Sequence, residues 1–166
     1  MPLIAVKYQT NPLGYCRFMT TKTRNTAMRK TDNYRKHHDD LRIIITRLQP
    51  MLDAKAIAAN PQGVADVVRD LFGKFSVHLA IEDSTLYPKY AVHTDARLRQ
   101  VALTFQTEMG SLSKRFDTYK RAWAGPLAIG RDPAGFVAET KEIIGLLTTR
   151  VRREETHFYD LVDTAA

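Results

Sequence analysis

Apolar residues recur three and four positions apart along four stretches of the chain, a spacing that places side chains on one face of an α-helix. The first stretch begins near Asp32 and the second at Asn60–Pro61. The third begins near Asp95 and the fourth at Asp132–Pro133. Each start combines a capping residue with a helical period, and two of them add proline at the first helical position. No stretch alternates with a period of two, so the pattern predicts helices and no strands.

The ends of the stretches are also marked in the sequence. Pro88 is expected to end the second helix, and Gly125–Pro126 the third, with a loop through Gly130 after it. Long amphipathic helices with short connections predict an all-α fold, an up-down-up-down antiparallel four-helix bundle over residues 32–166. The residues expected to face inward in the first two helices are Tyr34, His38, Leu41, Ile45, Leu48, Leu52, Val64, Val68, Leu71, Phe75, His78, Glu82 and Leu86.

The chain reads as two similar halves. His78 and Glu82 lie 18 and 22 residues after the asparagine that opens the second stretch. Arg150 and Glu154 lie 18 and 22 residues after the aspartate that opens the fourth. The equal spacing predicts that these two pairs occupy equivalent positions in the two halves of the bundle.

Several inward positions carry polar side chains. His78 and Glu82 are four residues apart, so they share one face of a helix, and His38 lies among the apolar positions of the first helix. A buried carboxylate needs a positive or hydrogen-bonding partner. A metal ion is one answer, because imidazole and carboxylate together suit iron, manganese or zinc. A hydrogen-bonded core network without metal is the alternative. The repeated placement favours a metal site built from His38, His78, Glu82 and Glu154.

A histidine in the first helix followed by the His78-x-x-x-Glu82 pair resembles the hemerythrin or HHE cation-binding domain family. The resemblance covers about residues 32–162. It implies a bundle in which each half supplies one histidine from its first helix and a His-x-x-x-Glu pair from its second. In that family the two halves hold two iron atoms, which bind oxygen or related small ligands or serve as sensors. The first half matches through His38, His78 and Glu82, whereas the second keeps only Glu154.

Two ligand positions of the family carry other residues in this chain. Met109 aligns with His38, and Arg150 stands where the second pair would have histidine. Methionine is a poor ligand for a hard iron ion, and arginine has no lone pair to donate. We expect Arg150 to turn inward and bridge Glu82 and Glu154 in place of a cation. The alternative is an arginine that turns outward. Glu108 could serve as a substitute ligand, but a solvated face is the simpler expectation.

The remaining histidines are expected to lie outside the site. His37 points about a hundred degrees away from His38 around the helix, so we expect it to be exposed. His93 is expected in a loop as a cap or surface residue, and His157 in a partly exposed position near the end of the bundle. The sequence contains no glycine-rich phosphate loop, no serine or cysteine nucleophile arrangement and no zinc-type cysteine spacing.

The chain has 166 residues, the length of one ordinary domain, and a net charge of +7. Residues 1–31 hold six basic and no acidic residues, while the remaining 19 basic and 18 acidic residues nearly cancel. We interpret residues 1–31 as a basic N-terminal arm. Its apolar residues favour packing on the bundle or on a second subunit, which would make a homodimer. It lacks the dense lysine and arginine clusters of nucleic-acid-binding arms, so we do not expect nucleic acid as a partner.

Composition also bears on location. No apolar run approaches the roughly 20 residues needed to span a bilayer, so no membrane partner is expected. The single cysteine, Cys16, excludes an internal disulfide and suits a reducing cytoplasm. The sequence therefore predicts a cytoplasmic protein.

Two functional hypotheses follow. The first is a non-enzymatic hemerythrin-like protein with its di-iron site lost or reduced, holding no metal or a weakly bound one, iron if any, in a structural, regulatory or ligand-binding role. The second is a working metalloprotein in which His38, His78, Glu82 and Glu154 hold one ion. It would sense or carry oxygen or nitric oxide, or act in redox stress, and a small diatomic ligand would bind only with the metal. We favour the first, which requires Arg150 inside the bundle, whereas the second requires it displaced.

Overall fold

The computed structural model describes residues 28–165, and every regular element within that range is helical. A 3₁₀ turn, Gln49–Met51, follows the first helix, and two π-helical segments, Glu82–Leu86 and Glu154–Tyr159, lie within longer helical runs. The prediction of a helical chain without strands is confirmed for the described residues. The α-helices are α1 Asp32–Leu48, α2 Ala54–Ala59, α3 Pro61–Ile81, α4 Tyr87–Ala91, α5 Ala96–Ala122, α6 Pro126–Arg131, α7 Pro133–Arg153 and α8 Asp160–Thr164.

Residues 1–27 lie outside the described range. Most of the predicted basic arm lies there. The predictions that the arm packs on the bundle, forms a homodimer and does not bind nucleic acid therefore concern residues outside the described range. Thr31 is buried, and its hydroxyl donates to Asp163 Oδ2 at 2.8 Å. Within residues 28–165, no helix combines the length and the apolar character needed to cross a bilayer.

The helix starts follow the capping signals in the sequence. The Asp95 side chain accepts two backbone N–H bonds from the first turn of α5, at 2.8 and 3.1 Å. The Asp132 side chain accepts one from the first turn of α7 at 2.9 Å. Pro61 and Pro133 occupy the first turns of α3 and α7, where a missing N–H leaves no helical bond unmade. The predicted starts of the third and fourth long helices are confirmed.

The prediction that Pro88 ends the second long helix is wrong. The helical run continues through the π-helical segment Glu82–Leu86 into α4 and ends at Ala91. Pro88 lies just after the π-helical segment, near the start of α4. In the π-helical segment the backbone N–H of Tyr87 donates to the carbonyl of Glu82, five residues earlier. The expected loop through Gly130 is also replaced by a short helix, α6.

The core lies between the long helices and is strongly aromatic. Phe75 of α3 packs on Phe116 of α5 with ring centroids 4.5 Å apart, and Trp123 packs on Phe136 of α7 at 5.5 Å. Burial of this apolar surface is the main stabilising term of the fold. The largest fully buried side chains are Tyr87, Tyr119, Tyr159, Phe75, Phe116, Phe136, Phe158, Leu41, Leu48, Leu71, Leu98 and Met109.

The repeat seen in the sequence reappears in the helices. Both α3 and α7 have 21 residues, and each runs directly into a π-helical segment. The first residue of one π-helical segment is Glu82 and that of the other is Glu154. Such π-helical turns often occur at functional sites. The two halves therefore place equivalent glutamates at equivalent breaks in the helical pattern.

Candidate metal centre

The four predicted ligands come together in the core. His38 lies in α1, His78 in the last turn of α3, and the two glutamates at the starts of the π-helical segments. Each offers one ligand atom, and these atoms all lie within 4.8 Å of one another. The exposed fraction of each residue is 0–1%. Four residues that are spread over more than a hundred positions of the sequence thus meet at one buried point.

His38 is oriented by a carboxylate on its outer side. Its Nδ1 lies 3.0 Å from Glu155 Oε1, and Arg42 donates to the other oxygen of that carboxylate at 2.5 Å. When a cation is bound, the proton on Nδ1 would bond to the Glu155 carboxylate and Nε2 would supply the lone pair. Nε2 lies 3.1 Å from Glu154 Oε2. A carboxylate behind an imidazole is the arrangement that orients histidine ligands in metal sites.

His78 has no such partner. Its Nε2 lies 3.4 Å from Glu82 Oε2 and 4.0 Å from Glu154 Oε2. Among the described residues, neither ring nitrogen of His78 nor Glu154 Oε2 has a hydrogen-bond partner. Burial lowers the pKa of His78 to about 3, so the ring is neutral and one of its two nitrogens carries a free lone pair. Unsatisfied buried polar atoms are rare, and a cation held between these atoms would satisfy them. The donor set fits a bound transition-metal ion.

The two carboxyl groups differ in their surroundings. Burial raises the pKa of Glu82, and the nearby charge of Glu154 raises it further. Burial alone would also raise the pKa of Glu154, but the adjacent His38 and the charge of Arg150 outweigh it and lower the value to about 2. Glu82 contacts tyrosine hydroxyls rather than a cation. In the metal-free protein the carboxyl pair therefore carries its proton on Glu82, and metal binding would release it.

Arg150 is buried, with an exposed fraction of 5%. Its Nε donates to Glu154 Oε1, and one terminal nitrogen donates to the Tyr87 hydroxyl at 2.7 Å and to the carbonyl oxygen of Phe105 at 2.9 Å. The other terminal nitrogen donates to Glu108 Oε2 at 3.1 Å. The predicted inward orientation is found, because Arg150 and Glu154 are four residues apart on one helix face.

The predicted bridge from Arg150 to both glutamates is wrong in detail. Arg150 contacts Glu154 but not Glu82, because the Tyr87 hydroxyl lies between them. Glu108, expected on a solvated face, is half-buried. Its carboxylate accepts from Arg150 and from both terminal nitrogens of Arg153, at 2.8 and 2.9 Å. Glu108 therefore holds Arg150 in place and lies outside the cluster of four ligands.

The other residues considered from the sequence differ in burial. Met109 is fully buried. His37, expected to be exposed, is half-buried because its ring lies edge-on to His78 with centroids 6.4 Å apart. His93 is half-buried, and its Nδ1 accepts from the Asp95 backbone N–H at 3.1 Å. His157 is exposed, away from the cluster.

Tyr87 and Tyr159 belong to the site although sequence analysis assigned them no role. Tyr87 Oη lies 2.6 Å from Glu154 Oε1 and 2.9 Å from Glu82 Oε2. Tyr159 Oη donates to Glu82 Oε1 and lies 3.2 Å from His38 Nε2. Each tyrosine follows a site glutamate by five residues, and this matched spacing is the signal that could have found them.

In the metal-free protein, the pH dependence of the free energy of unfolding is expected to reveal the proton on Glu82. Between pH 6.5 and 5 the unfolded chain protonates His78 while the folded one does not, which lowers stability as pH falls. Folded Glu82 keeps a proton that the unfolded chain has lost, which has the opposite sign and offsets that loss. Glu82→Gln removes the offset. Its free energy of unfolding should therefore fall more steeply with falling pH than that of the parent over this range.

Urea unfolding with a chelator, at several pH values, measures this difference. The exposed Glu142, which pairs with Arg115 at 3.0 Å, supplies the control variant Glu142→Gln. Parallel pH profiles for Glu82→Gln and the parent would show that Glu82 is ionised in the folded protein.

The family model described as Hemerythrin HHE cation binding domain matches residues 29–162. The match includes all four clustered residues and both substituted positions, Met109 and Arg150. No curated protein and no solved structure shows a significant match to the chain.

Proposed function

The chain belongs to the hemerythrin HHE cation-binding family, and on this basis we propose that it is a helical metal-binding protein that holds one cation. The ligands are His38, His78, Glu82 and Glu154. The observation that carries the proposal is the convergence of their buried ligand atoms within 4.8 Å, with the His78 nitrogens and Glu154 Oε2 lacking a hydrogen-bond partner among the described residues. The carboxylate of Glu155 beside His38 Nδ1 supports it, because a carboxylate behind an imidazole orients histidine ligands in metal sites.

A single ion, rather than a pair, is supported by Arg150. Its guanidinium occupies Glu154 Oε1 and leaves Glu154 Oε2 without a hydrogen bond among the described residues. It also adds a permanent positive charge beside the cluster, which disfavours a second cation. Arg150 inside the bundle and four converging ligands occur together. The arginine therefore takes the role of the second ion and leaves the first position usable.

Iron is the ion that family membership favours, although two imidazoles and two carboxylates also suit manganese and zinc. When bound, such an ion would supply open coordination positions for a small ligand. A cavity of about 260 Å³ reaches His38 and Glu155 and has apolar walls that include Leu41 and Leu147. We infer that a small uncharged molecule such as oxygen or nitric oxide could reach the centre there, which favours a binding or sensing role.

The antiparallel up-down-up-down order of the long helices is part of the proposal. Several contacts support it, because the numbers of paired residues run in opposite directions. Lys74 pairs with Asp40 at 2.9 Å and Arg47 with Asp70 at 3.5 Å, between α1 and α3. Between α5 and α7, Tyr119 meets Thr140 and Trp123 meets Phe136.

Metal titration of the full chain tests the proposed function. Equilibrium dialysis against Fe²⁺ without oxygen, followed by elemental analysis, should give about one ion per chain. His78→Asn and Glu154→Gln should each lower the affinity strongly, because each removes a ligand, whereas the surface variant Glu142→Gln should not. Two ions per parent chain, or binding that survives both ligand variants, would contradict the proposal.

A second candidate is the metal-free bundle predicted from the sequence, with a structural or regulatory role. The buried charge of Arg150 favours it, because Arg150 already pairs with Glu154. The same titration separates the two candidates: no ion uptake by the parent chain would support the metal-free bundle.

A further inference from the structure

Two fully buried tyrosines each contact the glutamate that belongs to the other half of the site. Tyr87 follows Glu82 in sequence, yet its hydroxyl approaches Glu154 most closely, at 2.6 Å. Tyr159 follows Glu154, yet its hydroxyl donates to Glu82. Each half therefore supplies the hydroxyl that holds the other half's glutamate.

The π-helical segments explain how the tyrosines reach these positions. In an α-helix five residues advance about 1.4 turns, which would turn Tyr87 well away from the face that carries Glu82. A π-helical turn closes hydrogen bonds across five residues and brings such residues closer to one face. The Tyr87 backbone N–H donates to the Glu82 carbonyl in this way, and its hydroxyl lies 2.9 Å from the Glu82 carboxyl. The same break begins at Glu154 and places Tyr159.

The two tyrosines are not equivalent. Tyr87 accepts a bond from Arg150, so it belongs to the guanidinium side of the site. Tyr159 instead stacks on His38, with centroids 5.2 Å apart and an interplanar angle of 12°, and its hydroxyl lies 3.2 Å from His38 Nε2. It therefore contacts two of the four ligands. With Glu82 Oε1 bound by Tyr159, Glu82 Oε2 is the oxygen that lies 3.4 Å from His78 Nε2.

We propose that Tyr159 is a positioning residue for the metal, an inference that rests on the proposed function. Its hydroxyl binds Glu82 Oε1 and leaves Glu82 Oε2 on the side of His78 Nε2, where it would be available to a cation, while its ring packs against the plane of His38. Tyr87 contacts Glu154 Oε1, the same oxygen that Arg150 binds. The π-helical turns are the backbone device that makes this crossed arrangement possible.

Zinc titration of the full chain by calorimetry tests this inference. Tyr159→Phe keeps the ring that stacks on His38 but removes the hydroxyl, so the affinity for Zn²⁺ should fall about 10- to 100-fold, as for other outer-shell partners of metal ligands. Tyr119→Phe is the matched control. It also removes a buried hydroxyl bond, the one to Thr140 at 2.8 Å, but contacts none of the four ligands. It should leave the affinity unchanged.

A parental affinity in Tyr159→Phe would overturn the positioning role while leaving the proposed function intact. A parent chain that binds no Zn²⁺ and no Fe²⁺ would overturn both. A second measurement needs no variant. The hydroxyl proton of Tyr159, followed by NMR as a slowly exchanging resonance, should persist in the zinc-loaded protein because the bond to Glu82 is kept. Its disappearance on zinc addition would also overturn the positioning role.

Discussion

Replacing Arg150 with methionine is expected to lower the free energy of unfolding of the metal-free protein by about 3–5 kcal/mol, the usual cost of removing one partner of a buried ion pair. Glu154 would lose its cation while remaining fully buried. The hydroxyl of Tyr87 and the carbonyl of Phe105 would each lose a donor. Part of the loss should return at mildly acidic pH. Without the arginine, folded Glu154 takes up a proton more readily than the unfolded chain does, so lower pH favours the folded state.

Arg153→Met is the matched control for this experiment. Arg153 binds the same Glu108 carboxylate, but its side chain is 44% exposed. Its loss should cost no more than about 1 kcal/mol, the range of exposed ion pairs. Urea unfolding of the three proteins in the presence of a chelator gives the comparison. An Arg150→Met variant as stable as Arg153→Met across pH would show that the buried guanidinium does not stabilise the site.

Replacing both Met109 and Arg150 with histidine should raise the metal capacity from one ion per chain to two. The substitutions restore the two imidazoles that the family pattern places in the second half. They also remove the permanent charge that opposes a second cation. Met109 is fully buried and Arg150 nearly so, so both new side chains would lie in the interior. Zinc titration followed by elemental analysis measures the number of bound ions.

The single variants separate ligand supply from charge. Met109→His alone should stay at one ion, because the guanidinium still occupies Glu154 Oε1. Arg150→His alone removes the charge but supplies only one of the two missing ligands, so its second ion should bind more weakly than in the double variant. A double variant that still binds one ion would mean that position 109 lies too far from the cluster to complete a second site.

The contacts of Arg150 explain how, under the proposed function, a substituted site could still hold one ion. Loss of a histidine ligand would leave Glu154 with a buried, uncompensated charge whenever the second position was empty. Arginine supplies that charge permanently and binds one carboxylate oxygen, while the other oxygen lies 3.1 Å from His38 Nε2. Glu108, Tyr87 and the carbonyl of Phe105 accept hydrogen bonds from the two terminal nitrogens of the guanidinium. Under this proposal Arg150 supplies a permanent positive charge in the second half of the site.

The sequence by itself determined the helical class, the starts of the long helices and the identities of the four clustered residues. These features depend on local rules: apolar periodicity, capping aspartates and prolines in first turns. The repeat also related distant residues to one another. Equal spacing from the helix starts in the two halves implies that equivalent residues lie at the same level along the bundle. For this reason His38, His78, Glu82 and Glu154 could be grouped across more than a hundred residues before any contact was known.

Only the tertiary structure decided how those residues are satisfied. The two π-helical breaks at Glu82 and Glu154 carried no recognisable signal, since five-residue hydrogen bonds are stabilised by packing rather than by local propensity. They bring Tyr87 and Tyr159 into the site, and Tyr87 takes the place between Arg150 and Glu82 that a direct bridge was expected to fill. Partner choice among buried polar groups depends on distances of a few ångströms across helices, which spacing along the chain does not specify.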